Sequence, residues 1–217
     1  MKLMVVLLCS IFAGCGESTE ARQTYVLTTG TTSATYYPVG VALATLVSAN
    51  DESEFSLTAI SSAGSLENVK LLRDNQAQFA TMLSIFATWA YEGEGPILNP
   101  QDHLRSVTAL WPNVEHLLLR SDLVTEGTFN DFGRLDGKRI SIGMRNSGAE
   151  ITGFYILDKL GINRERDLSV AYLGYGPSAD ALQDGNIFGL NAPGGPCLLY
   201  TSPSPRDRTR SRMPSSA

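Results

Sequence analysis

With 217 residues, 43% of them apolar and 18% charged, the chain has the material for one sizeable globular domain or two small ones, and its composition is not that of a disordered protein. The formal net charge of −5 hides an asymmetry, because residues 201–217 hold Arg206, Arg208, Arg210 and Arg212 against Asp207, which leaves −8 on the body before them. An acidic body argues against nucleic acid as the main partner and gives no electrostatic reason to dock on anionic lipid.

The chain opens on an export signal. Lys2 is a minimal positive start, and residues 3–13 form an apolar core shorter than the roughly 20 residues that span a bilayer. Phe12-Ala-Gly-Cys15 then resembles the lipobox of bacterial lipoproteins, in which the cysteine is acylated. Residues 1–15 are therefore read as a lipoprotein-type signal peptide, Cys15 as the lipidation site and the polar stretch 16–23 as a tether, with a plain secretory signal as the alternative. The expected location is periplasmic or extracytoplasmic. Cys9 lies in the signal and Cys197 near the end, so no disulfide pair is left for the body.

From residue 24 strands and helices alternate. Strands are predicted over 25–28, 55–60, 79–83, 105–110 and 116–120. Between the first three, Val39, Leu43, Leu46 and Val47 share one helical face and Leu66, Val69 and Leu72 another, and both stripes are expected in the core. The stretch 121–137, rich in Asp, Thr and Gly, is read as the connection between a first lobe, 24–120, and a second, 138–196. The second lobe is predicted to hold a strand over 139–143, a helix over 149–160 closed by Gly161, a strand over 169–173, a helix over 178–184 closed by Gly185, and a strand beginning over 187–190. Such alternation builds parallel sheets with right-handed crossovers, an α/β fold. After Pro196 the periodicity stops. Residues 197–217 are biased to Ser, Pro and Arg and are read as a non-native tail of the kind a translated sequencing adapter leaves, with the second lobe cut short; a basic, disordered arm is the alternative. The expectation for the 217-residue chain is poor folding and weak binding.

Three turns that follow strands and open helices share one physical logic. In open α/β sheets a ligand sits beyond the carboxyl ends of the strands, where helix N-termini offer free N–H groups and positive potential. Gly30-Thr-Thr-Ser-Ala-Thr-Tyr-Tyr37 supplies hydroxyl donors and two aromatic walls, and Ser61-Ser-Ala-Gly-Ser65 a glycine and serines. Met144-Arg-Asn-Ser-Gly-Ala-Glu150 adds Arg145, a possible bidentate clamp for a carboxylate, with a solvated loop arginine as the alternative.

Catalytic signatures are mostly missing. There is no Gly-x-Ser-x-Gly elbow, His-Glu-x-x-His or Walker loop, and His103 and His116 are the two histidines. Gly174-Tyr-Gly176-Pro-Ser-Ala179 matches the dinucleotide pattern but lacks the acidic residue that should follow roughly 20 positions later.

Thr29-Gly30 through Tyr36-Tyr-Pro38, Ser62-Ala-Gly-Ser65 with Glu67-Asn68, and Asn146-Ser-Gly-Ala-Glu150 together resemble the TAXI family, solute-binding subunits of tripartite ATP-independent periplasmic (TRAP) transporters. The resemblance implies an α/β, two-lobed fold of the periplasmic-binding-protein type (type II) with an incomplete second lobe. It implies a receptor, not an enzyme, that closes on a small organic acid or amino acid such as glutamate and delivers it to TRAP membrane permease subunits, without cofactor or metal. By position, Thr31, Tyr36, Tyr37, Gly64, Ser65, Ser147, Gly148 and Glu150 become ligand-binding candidates beside Arg145. Phe188 departs from the family's Gly-x-Ile-Asp turn. Two alternatives stand beside this reading: an enzyme of the same architecture using Glu150 or Asp180, and a ligand-sensing lipoprotein.

Overall fold

A computed structural model describes residues 22–195; the signal, the Cys15 site and the tail after Pro196 lie outside them. The described chain is a mixed α/β protein built on two sheets. In the first, β1 (Gln23–Thr28) lies between β2 (Phe55–Ile60) and β3 (Phe79–Ala80), all parallel, with Leu27 opposite both Ala59 and Phe79. The crossovers are α1 (Tyr36–Ala49) and α2 (Ser65–Arg73), and α3 (Ser84–Glu92) follows β3. In the second sheet the order is β4 (Leu117–Leu119), β7 (Gly189–Asn191), β5 (Arg139–Ser141), β6 (Ser169–Ala171), with β4 antiparallel to β7 and the rest parallel. α4 (Gly148–Lys159) joins β5 to β6, and α5 (Tyr175–Gln183) joins β6 to β7.

Four of the expected features differ. Residues 105–110 form no strand, and Val107 is 80% exposed; an apolar alternation becomes a strand only where a sheet edge accepts it. β4 pairs in the second sheet, not the first, and 121–137 is no free connection. It forms two 3-10 turns, Ser121–Leu123 and Phe129–Arg134, and Phe132 within the second and Leu135 just after it are buried with Ile140, Ile142, Phe154 and Leu157 of the second core. The fourth difference is α1, where Leu46 is 70% exposed and the buried face runs through Gly40 and Ala44. Small residues win there because the helix lies directly on the end of β1: a Cβ at Gly40 would come within 2.4 Å of Thr29 Cγ2.

Asn68 fixes the strand ends. Fully buried in α2, it accepts from the Thr28 and Ser62 hydroxyls and donates to the Thr29 and Thr81 carbonyls. One amide thus ties β1, β3 and the second turn together, its donors and acceptors all engaged.

Candidate functional site

All five α-helices among the described residues begin at one hollow. Their N-caps, Thr35, Gly64, Leu83, Ser147 and Gly174, line it, three from the first sheet's side and two from the second's. This follows from the topology: each helix comes after the carboxyl end of a parallel strand, and the two sheets turn those ends toward each other. The first N–H groups of a helix have no partner inside it, and its N-terminus carries roughly half a positive charge. Some are used internally. The Glu150 amide donates to Ser147 Oγ, and the Glu67 amide crosses to the Asn146 carbonyl. No hydrogen bond within the described residues engages the amides of Ser65, Gly148 and Tyr175. No charged side chain lines the hollow.

Its walls touch. A Cβ at Gly148 would lie 2.9 Å from Ser65 Oγ, and Gly64, held at φ +123°, faces the Gly148 nitrogen. Across the seam Lys70 Nζ donates to Asn146 Oδ1, the Gly176 amide donates to Ser33 Oγ, and Ile151 packs on the first core. The cavity left is about 40 Å³, room for a few waters and far below the several hundred Å³ of a typical small-molecule pocket. A metabolite can enter only if the two halves part.

Tyr36 and Tyr175 form the back wall. Burial pushes the Tyr36 phenol up to about 12, against a pull from Ser65 and with a push from the Glu115 charge. Tyr175 is raised further, by burial first and then by Tyr36 and Glu115, and its hydroxyl donates to the Pro193 carbonyl. Both therefore act as neutral hydrogen-bonding groups near pH 7. Trp111 packs on Tyr36 with ring centroids 5.8 Å apart.

Of the sequence candidates, Thr31, Tyr36, Gly64, Ser65, Ser147 and Gly148 meet at this hollow. Tyr37, Arg145 and Glu150 do not. Tyr37 sits one residue further round α1, away from the lining. Arg145 turns outward, its guanidinium 3.8 Å over the Tyr172 ring in a separate groove, because stacking holds it there. Glu150 faces that groove too and is spent on capping: its carboxylate accepts from the Asn146 amide. Sequence reasoning missed Tyr175 and Gly174, which it had met only as a weak dinucleotide match. The Gly176 amide in that motif is bonded to Ser33. His116, half-buried, has its Nε2 on the Gly195 carbonyl at 3.1 Å.

Solved structures are similar to this chain at low identity. A protein from Bordetella bronchiseptica RB50 matches with a TM-score of 0.51 at 14% identity, over 81% of this chain and 52% of that one. The alkanesulfonate-binding protein SsuA from Xanthomonas axonopodis pv. citri, bound to MOPS, matches with a TM-score of 0.49 at 15% identity, over 78% and 54%. The probable amino-acid ABC transporter extracellular-binding protein ytmK from Bacillus subtilis gives 0.36 at 15% identity, over 79% and 70%. The chain spans about half the length of the first two. Its residues 27–200 match the NMT1-like family, and the chain belongs to that family.

Proposed function

We propose that this chain is the extracytoplasmic solute-binding receptor of a transporter, of the TAXI type that serves TRAP permeases, and that it captures a small organic acid or amino acid of glutamate-like chemistry. One observation carries the reading: helix N-termini from both sheets converge on one hollow without a charged wall. Such a site attracts an anion through backbone dipoles and N–H groups and leaves it chemically unchanged. The ligand is held from both sides, so binding and closure are one event, and the closed form is what a permease recognises. In this reading residues 1–15 are removed or anchored through Cys15, the two lobes are built on the two sheets, with β4 and 121–137 in the second, and Thr31, Tyr36, Gly64, Ser65, Ser147 and Gly148 touch the solute.

A thermal-shift screen of the full chain against mono- and dicarboxylates and amino acids tests it. Stabilisation by at least one carboxylate, by RT ln(1 + [L]/Kd), with the compound recovered intact, supports a receptor. Consumption of the compound points to an enzyme, and no shift with any carboxylate, in a sample that circular dichroism and a cooperative melt show to be folded, removes the reading.

A further inference from the structure

The hollow is lined by two threonine hydroxyls that the fold does not use. The three motif turns are rich in hydroxyls, and most of them are spent on structure. Thr29 Oγ1 donates to the Ile60 carbonyl and Ser62 Oγ to the Thr29 carbonyl, while the hydroxyls of Ser33, Ser65 and Ser147 accept from the amides of Gly176, Leu83 and Glu150. Thr32 and Ser61 are exposed. Thr31 and Thr35 are different: both line the hollow, and both Oγ1 atoms are buried with no hydrogen-bond partner among the described residues. Thr35 is the N-cap of α1, where a hydroxyl ordinarily accepts from an amide in the first turn, but its backbone is already helical, at φ −60° and ψ −32°, and its side chain makes no cap bond. At the N-cap of α4 the backbone of Ser147 is extended, and the Glu150 amide consumes its hydroxyl. Thr31 meets the other half through its methyl: a Cβ at Gly174 would lie 3.6 Å from Thr31 Cγ2.

Buried hydroxyls without partners are costly and rare, and native proteins keep them where a ligand or water completes them. The amides at helix N-termini only donate, whereas a hydroxyl offers one donor and two acceptor lone pairs. Thr31 and Thr35 therefore give the hollow what its helix ends lack, an acceptor for a donor on the ligand. No carboxylate lines the hollow, so an ammonium there would face the positive ends of the helices without a counter-charge. A neutral hydroxyl meets no such penalty. In a cavity of about 40 Å³ it has to sit close beside the carboxylate that the amides hold. We propose that Thr31 and Thr35 read a hydroxyl next to the ligand's carboxylate, so that the hollow takes 2-hydroxy acids in preference to the same carbon skeleton with no substituent or with an ammonium in that place. This rests on the receptor reading and takes its organic-acid branch. The two threonines discriminate by pairing with the hydroxyl, and the helix ends by repelling the cation.

Calorimetric titration of the full chain with matched probes tests the assignment: 2-hydroxyglutarate against glutamate and glutarate, malate against aspartate and succinate, and lactate against alanine and propionate. In at least one set the hydroxy acid should bind about tenfold or more tighter than both counterparts, the size of one hydrogen bond made in a dry site. Thr35→Val keeps the shape of the side chain and has no cap bond to lose. Checked for folding by circular dichroism, it should shrink that preference about tenfold, whereas Thr35→Ser, which keeps the hydroxyl, should retain it. Equal affinities within every set, an amino acid that binds tightest in every set, or a preference that neither Thr35→Val nor Thr31→Val changes overturns the assignment while the receptor stands. Failure of every carboxylate to bind the folded chain removes the receptor and the assignment together.

Discussion

At the scale of single residues, three side chains carry more than their neighbours. Asn68→Leu strands the Thr81 carbonyl and the Thr28 hydroxyl, while Ser62 Oγ still donates to the Thr29 carbonyl, and is expected to lower stability by roughly 3 kcal/mol; denaturant unfolding measures it, and a loss under 1 kcal/mol would show that the amide ties nothing. Asp131 and Glu115 act on stability with opposite signs. Asp131, 1% exposed, accepts from the Thr125 hydroxyl and the Glu126 and Gly127 amides, which hold its carboxyl at about 2. Its contribution is present above the ordinary aspartate range near 3.9 and is lost as pH falls toward 2. The folded pKa of Glu115 is raised instead, so its contribution is full below the unfolded value and disappears as pH rises through the folded one. Asp131→Asn should therefore flatten the acid side of a melting-temperature profile, and Glu115→Gln should raise the plateau near neutral pH. A profile unchanged by both substitutions would contradict these assignments. Ser147 was legible as a residue just ahead of a helix start, where free N–H groups gather, but the structure makes it the N-cap and spends Glu150 on the same cap. Glu115 gave no sequence signal, since a lone acid ahead of an apolar run becomes informative only when tertiary structure buries it.

At the scale of elements, close approach is bought with glycine, and two substitutions separate folding from closure. Gly40 lets α1 lie on the end of β1. Gly40→Ala forces a Cβ into Thr29 and should cost about 1–3 kcal/mol of stability. Gly148 stands at the seam, with negative-φ backbone compatible with alanine, and its added Cβ would meet Ser65 Oγ and Leu83 Cδ1. Gly148→Ala should melt cooperatively like the parent and bind its carboxylate roughly tenfold more weakly, because the closed population falls; undiminished binding in titration calorimetry would show that the seam need not close. The helices α1 and α2 were readable as elements from periodicity, though not the buried face of α1, and α4 and α5 also from closing glycines, with Gly161 at φ +72° and Gly185 at φ +76°. α3 was not, because Ser84–Glu92 mixes Ile, Phe, Thr, Trp and Tyr, residues that favour strands. Gly93, in the left-handed region at φ +76°, was the one stop signal for it. Strand partners were the other illegible feature. β4 is a short run of leucines whose sheet is decided by β7, some 70 residues later, and no local pattern records that choice.

At the scale of the whole molecule, the two sheets present their carboxyl ends to one hollow, and a few polar contacts hold it shut over about 40 Å³. Ligand entry therefore requires a change in the relation of the halves, and Trp111 against Tyr36 reports it. With Trp89→Phe leaving Trp111 as the single tryptophan, a saturating carboxylate should change the emission with the same midpoint as calorimetric binding; a constant spectrum would place the solute elsewhere. The central claim, that opposed helix N-termini hold the ligand's anion, is tested most directly by amide nitrogen–proton NMR spectra of the full chain during titration with a binding carboxylate. The account predicts the largest shifts at the amides of Ser65, Gly148 and Tyr175 together, from both sides of the seam, at one common dissociation constant. Shifts confined to one side, or centred on the outer groove at Arg145 and Tyr172, would contradict it.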